Sequence, residues 1–183
     1  EQFKCEGKWL YNLTAAKETN DEMLSNKEKR IKVITLMRDP IARDLSSIFQ
    51  SPLEYFPGKE IEEISVCDCV DLLHNKDFGY TTAWFDHEFK DYLDFDIFKY
   101  GFDKERGYQV YHQDRCDILC IKLERLSQVY SEAMFDFFGI KQARLDRQNT
   151  GDAKALARVF QETKRAFRLP ESRLREIYDD KLL

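Results

Sequence analysis

A short apolar run that changes at once into a helical pattern constrains the fold of this chain more than any other feature. Residues 31–37, IKVITLM, are apolar and rich in β-branched side chains, which is typical of a buried β-strand. Arg38 and Asp39 follow, and Pro40 opens a segment in which apolar residues recur at helical spacing, namely Ile41, Leu45, Ile48 and Phe49. A strand that leads directly into a helix is the unit from which α/β folds are built.

A second unit of the same kind lies later in the chain. Residues 117–123, DILCIKL, predict another buried strand, and residues 126–138 predict a helix that stops at Gly139. Apolar strands alternating with helices predict an α/β fold, with a mainly parallel sheet and helices on both faces, in a single domain covering residues 1–183. Ligands of such folds bind at the carboxyl ends of the strands, and Arg38 lies at such an end.

The charge of the chain limits its partners. The net charge is −5, and affinity for nucleic acid depends on many phosphate contacts, so no nucleic-acid partner is predicted. Any anion site must be local and built from a few placed arginines and lysines.

No stretch approaches the roughly 20 apolar residues that span a bilayer, so no integral membrane segment is predicted. The five cysteines lack the spacing of a zinc quartet, and we interpret them as reduced thiols that hold no metal.

The segment RDPIARDLS, which begins at Arg38, carries the chemistry that the sequence predicts. Asp39 can cap the helix, and Pro40 suits its first turn because no N–H group is needed there. At about 3.6 residues per turn, Ser46 shares one helical face with Asp39 and Arg43. An arginine fork, a hydroxyl and the positive end of a helix dipole together favour a phosphate site. The alternative is an ordinary helix start in which Arg38 is a solvated surface charge.

This segment resembles the 3′-phosphate-binding motif of the sulfotransferases that use 3′-phosphoadenosine 5′-phosphosulfate (PAPS). The matching pattern is a strand followed by R-D-P-x-x-R-x-x-S at the start of a helix. The resemblance implies that Arg38 and Ser46 hold the 3′-phosphate of PAPS and, after the reaction, that of adenosine 3′,5′-bisphosphate. Arg43, on the same helical face, is a weaker phosphate candidate.

Later segments carry the same resemblance. DILCIKLERL resembles a later strand of that family with its YEDL-type close, with Glu124 and Leu126 retained and Leu123 in place of the tyrosine. MFDFFGI resembles the helix and FLGL-type close that follow. RQNTGDAKAL resembles a segment that approaches the nucleotide in carbohydrate sulfotransferases. The resemblance implies that three residues of this segment lie near the nucleotide: Arg147, Asn149 and Lys154.

The stretch WFDHEFKDYLDFDIFKYGFDKERGY resembles bacterial proteins of capsular polysaccharide synthesis, a sulfotransferase-like branch. The implied reaction transfers a sulfuryl group from PAPS to a hydroxyl of a carbohydrate acceptor, in a capsular or other polysaccharide. The implied fold is three-layered and P-loop-like. In the sulfotransferase family a P-loop-like element with a lysine holds the 5′-phosphosulfate. No such element precedes Lys32, so we expect the fold to lack this segment here and the segment to lie upstream of Glu1. Two alternatives stay open: this branch uses another element, or the chain does not bind the cofactor alone.

The acceptor hydroxyl needs a general base, which is histidine or glutamate in much of the family. His87 is the candidate, because a neighbouring carboxylate could orient its ring, and the alternative is a surface histidine.

Two other classes of function stay open. One is a P-loop phosphotransferase of the nucleotide- or sugar-kinase type, and the other is a non-catalytic, sulfotransferase-like binding module. The expected compartment is the cytoplasm, or the Golgi lumen for a eukaryotic protein with an N-terminal anchor.

Overall fold

The computed structural model describes residues 30–90, 93–113, 116–146 and 156–178, together with Glu18 and Ser25. The side chains of residues 80, 82, 87 and 88 lie outside this description. The described sheet contains β1 (Ile31–Met37), β2 (Tyr108–His112) and β3 (Cys116–Lys122), in the order β1-β3-β2. The fold is therefore mixed α/β, with β3 as the central strand.

The described helices lie between and after these strands. They are α1 (Pro40–Gln50), α2 (Pro52–Tyr55), α3 (Val66–His74), α4 (Gly79–Trp84), α5 (Leu126–Phe138), α6 (Ala157–Ala166) and α7 (Glu171–Tyr178). A π-helical turn, Phe85–Lys90, continues α4. Short 3₁₀ turns occur at Ile61–Glu63, Ile97–Lys99 and Leu123–Arg125. The strand and the helix on either side of Arg38 are confirmed, and so is the helix that ends before Gly139.

The sheet is mixed. β1 runs parallel to β3, with Met37 opposite Lys122, whereas β2 runs antiparallel to β3. A mainly parallel sheet was the expectation, and the described strands make one pairing of each kind. Only residues 113–115 separate β2 from β3, which allows a hairpin, because a parallel connection needs about a dozen residues or more. The P-loop-like arrangement stays a prediction.

Apolar side chains cover both faces of β3, which explains why its sequence is a continuous apolar run. One face packs on the segment after α4 through Ile118, Cys120, Phe89, Phe95, Ile97 and Tyr111. The other face packs on α5 through Leu119, Ile121, Val129, Ala133 and Phe137. A separate cluster joins α1 to α3 and to the end of α6 through Leu45, Ile48, Phe49, Cys69, Leu73 and Phe167. These contacts fix α1 against α3 and the end of α6.

The described cysteines are thiols rather than half-cystines. Cys69, Cys116 and Cys120 are buried, whereas Cys67 is exposed. Burial raises the pKa of the Cys69 thiol to about 11 and that of Cys120 to about 12. Both groups therefore stay protonated at neutral pH, and they contribute to the core as small apolar side chains.

An ion-pair cluster joins the strands at the amino end of β3. Arg30 Nη2 donates to Asp117 Oδ1 at 2.7 Å and Arg30 Nε donates to Oδ2 at 3.1 Å. Nδ1 of His112, on β2, lies 2.7 Å from Asp117 Oδ1. The Arg30 guanidinium, with a smaller effect of His112, holds the pKa of the Asp117 carboxyl well below its usual range.

Replacing this carboxylate should make the protein less stable at neutral pH and less sensitive to acid. Because the folded-state pKa of Asp117 lies below the unfolded value of about 3.9, its contribution is complete above that pH. The contribution is lost as the pH falls through the folded-state pKa. We expect Asp117→Asn to lower the free energy of unfolding at pH 7 by about 2 kcal/mol, measured by urea denaturation.

The matched control is Asp71→Asn, which changes an exposed carboxylate on α3. We expect its free energy of unfolding to stay within about 0.5 kcal/mol of the wild type. The difference between Asp117→Asn and the wild type should shrink below roughly pH 4. A constant difference from pH 7 to pH 2 would mean that the ionised carboxylate is not the source of the stability.

Candidate functional site

The carboxyl edge of β1 and β3 brings Arg38 close to the turn that follows β3. Because Met37 is opposite Lys122, the residues that follow β1 and β3 leave the sheet side by side. The backbone N–H of Asp39 donates to Oε1 of Glu124 at 3.1 Å. The first turn of α1 is therefore attached directly to the turn that follows the central strand.

Every polar group of Asp39 has a partner. Its N–H is held by Glu124, and its carbonyl accepts from the N–H of Arg43 at 2.8 Å. Its Oδ1 accepts from the N–H of Ala42 at 2.7 Å, which is the predicted helix cap. Its Oδ2 accepts a short hydrogen bond from the hydroxyl of Tyr178, in α7. The turn is consequently fixed by α1, by the end of β3 and by the last described helix.

Tyr178 remains a hydrogen-bond donor over the physiological pH range. Burial raises the pKa of its phenol far above the usual value, and the hydrogen bond to Asp39 and the charges of Asp39 and Glu124 act in the same direction. A phenol that stays protonated donates to a neighbouring carboxylate oxygen, and the contact therefore fixes Oδ2 of Asp39 as the acceptor.

Arg38 and Ser46 differ from this fully bonded turn. Within the described residues, neither side chain makes a hydrogen bond or an ion pair. Both are half-buried, at the start of α1 and on its second turn. Six residues at about 1.5 Å each place Ser46 about 9 Å along the helix axis from Pro40. An unengaged guanidinium and hydroxyl thus flank the first two turns of α1.

Arg43, the third residue predicted on this face, has a different role in the structure. Its Nη1 lies 2.9 Å from Asp44 Oδ1 and 2.9 Å from Thr81 Oγ1. Thr81 in turn donates to Asp44 at 2.9 Å. Asp44 is only 1% exposed, so the charge of Arg43 compensates a buried carboxylate. This guanidinium is less available to a ligand than that of Arg38.

The other predicted site residues fall largely outside the described part of the chain. Arg147, Asn149 and Lys154 lie outside the described residues. His87 belongs to the π-helical turn after α4, and its side chain is likewise outside the description. The predictions for these residues as nucleotide contacts and as the general base stay predictions.

Sequence reasoning missed Tyr178 and Asp44. Nothing in the sequence connects Tyr178 to Asp39, which is 139 residues away. Asp44 did carry a signal, because it occupies the core side of α1 among apolar residues, where a carboxylate must find a cation.

A glycine supports the turn that carries Glu124. Gly107 has φ +80°, and a Cβ at this position would lie 2.9 Å from Cβ of Arg125. The carbonyl of Gly107 accepts from the N–H of Lys122 at 2.9 Å. The backbone before β2 therefore passes directly against the turn after β3, and only glycine permits both the conformation and the contact.

The groups at this site are of the kinds that favour an anion. Arg38 offers a planar fork of donors, Ser46 offers a hydroxyl, and α1 contributes the positive end of its dipole. In the described ranges, no three His, Cys, Asp or Glu side chains are grouped so as to hold a metal ion. Among the described helices, none has the length and apolar character that crossing a membrane requires.

Comparison with known proteins identifies a family for this chain. No curated protein and no solved structure matches the chain significantly. A family model, NKWYS, described as "Putative capsular polysaccharide synthesis protein", matches residues 62–181, more than half of the chain. The matched range includes Glu124 and Tyr178, and it begins after Arg38 and Ser46. The chain belongs to the NKWYS family of capsular polysaccharide synthesis proteins.

Proposed function

We propose that this protein is a PAPS-dependent sulfotransferase that modifies a hydroxyl of a capsular polysaccharide or of its carbohydrate precursor. Membership of a capsular polysaccharide synthesis family supports the carbohydrate acceptor. The observation that carries the donor assignment is the unengaged Arg38 beside a fully bonded Asp39, in a segment that resembles the 3′-phosphate motif of sulfotransferases.

The residues of the site fit the 3′-phosphate part of PAPS. Arg38 would bind this phosphate through charge-assisted hydrogen bonds, and Ser46 would donate its hydroxyl. Arg43 supports the site from its ion pair with Asp44, and Arg147, Asn149 and Lys154 are the proposed nucleotide contacts of the following segment. Bound PAPS would supply the sulfuryl group that is transferred.

Transfer also requires removal of the acceptor proton. His87 is the proposed base, since a neutral imidazole accepts a proton near neutral pH. Glu124 is a poorer candidate because its Oε1 already accepts from the N–H of Asp39 at 3.1 Å. The acceptor is a carbohydrate hydroxyl, whose high pKa makes such a base necessary for efficient transfer.

The direct test is transfer of radioactive sulfate. The full-length protein should bind adenosine 3′,5′-bisphosphate in calorimetry and should transfer ³⁵S from labelled PAPS to an unsulfated capsular polysaccharide. A chain with His87→Gln should retain nucleotide binding and lose at least about 100-fold in transfer rate, which is the usual contribution of a general base. Tighter binding of ATP with Mg²⁺ than of the bisphosphate would favour a phosphotransferase. Bisphosphate binding by the full-length protein without transfer to any acceptor would instead indicate a non-catalytic binding module.

A further inference from the structure

We propose that Glu124 and Tyr178 are positioning residues of the anion site, which hold Asp39 so that Arg38 stays available to the ligand. This inference rests on the proposed function, because the ligand in question is the 3′-phosphate. Neither residue needs to touch the nucleotide. Each acts through the turn between β1 and α1.

The two residues fix Asp39 from two independent directions. Glu124 follows the central strand and accepts from the N–H of Asp39 at 3.1 Å. Tyr178 belongs to α7 and donates to Oδ2 of Asp39. Together with the helix cap at Ala42, these bonds determine both the backbone and the side chain of Asp39. A site whose support is already bonded loses little conformational entropy when the ligand binds.

The same bonds keep two carboxylates occupied. Asp39 is the chain neighbour of Arg38, and Glu124 lies at the same edge of the sheet. A carboxylate released from its partner could pair with Arg38 and neutralise the cation that the phosphate requires. The hydroxyl of Tyr178 donates to Oδ2 of Asp39, and the N–H of Asp39 donates to Oε1 of Glu124. This explains how an arginine beside two acidic side chains makes no ion pair within the described residues.

The test is calorimetric titration of the full chain with adenosine 3′,5′-bisphosphate. Tyr178→Phe removes one hydroxyl, and Glu124→Ala removes the acceptor for the Asp39 N–H. Each should weaken binding by roughly 5- to 10-fold, the typical effect of one hydrogen bond. Glu124→Gln keeps a carbonyl oxygen at the same position and should restore affinity to within about twofold of the wild type.

The matched control is Tyr55→Phe. Tyr55 also contacts α1, through a 2.9 Å contact between its hydroxyl and that of Ser47, away from Asp39. Its removal should leave the affinity unchanged. The melting temperature of each variant separates loss of binding from loss of folding.

The outcomes distinguish the inference from the proposed function. Wild-type binding together with unchanged affinity in Tyr178→Phe and Glu124→Ala would overturn this inference alone. Tighter binding by both Glu124 variants would also overturn it, because Glu124 would then repel the anion. Absence of binding by the wild-type protein would overturn the proposed function and this inference with it.

Discussion

Arg38→Ala should weaken the binding of adenosine 3′,5′-bisphosphate by about two orders of magnitude. Hydrogen bonds to charged groups contribute about 1.5–3 kcal/mol each, and a guanidinium can offer a phosphate two of them. Arg38 makes no internal hydrogen bond or ion pair among the described residues, so its removal leaves no buried carboxylate unpaired. The loss should therefore appear in ligand affinity, measured by calorimetry, rather than in thermal stability.

Two further variants locate the effect. Arg38→Lys keeps the charge without the fork and should bind with intermediate affinity. Arg158→Ala removes an arginine on α6 whose Nε lies 2.8 Å from Glu162 Oε1 and whose side chain is 87% exposed. The Arg158 variant should bind as the wild type does. Equal losses in Arg38→Ala and Arg158→Ala would show that general electrostatics, rather than a phosphate contact of Arg38, governs affinity.

Gly107→Ala should be the most destabilising single change that the fold near the site suggests. Its φ of +80° disfavours any side chain, and the new Cβ would lie 2.9 Å from Cβ of Arg125, where a flexible side-chain end cannot give way. Left-handed backbone strain and a steric clash of this kind together cost about 3 kcal/mol. We expect this decrease in the free energy of unfolding by urea denaturation.

Gly58→Ala provides the control that separates the two costs. Gly58 has φ +87°, but no atom would lie within 4 Å of an added Cβ. Only the backbone strain should then appear, at about 1 kcal/mol. If Gly58→Ala and Gly107→Ala lost the same stability, the close approach of Arg125 would not be a significant term.

The local parts of the fold were predictable because their signals are local. The strand before Arg38 is a continuous apolar run, and α1 begins where Asp39 can cap it and Pro40 fits the first turn. The placement of Arg38 at a strand end follows from these two signals alone. The direction of β2 was less accessible, since it depends on the short connection to β3 rather than on its own sequence.

The hydrogen bonds that hold Asp39 in the candidate site were not predictable, because they join segments that are distant in the sequence. Tyr178 reaches Asp39 only after α7 has packed beside the start of α1, and no periodicity in the sequence encodes this contact. Arg43 shows a different limit of sequence-based prediction. Helical spacing places it on the same face of α1 as Ser46, yet the buried carboxylate of Asp44 determines where its guanidinium is directed.

The contact between Tyr178 and Asp39 also determines when the site can form during protein synthesis. The two residues are 139 positions apart in the chain. Ribosomes add about 5–20 residues per second, so Tyr178 is made roughly 7–28 s after Asp39. Until then, β1 and α1 have left the ribosome without the bond that completes the turn. A nascent chain therefore carries the segment RDPIARDLS long before it has the contacts that complete the candidate site.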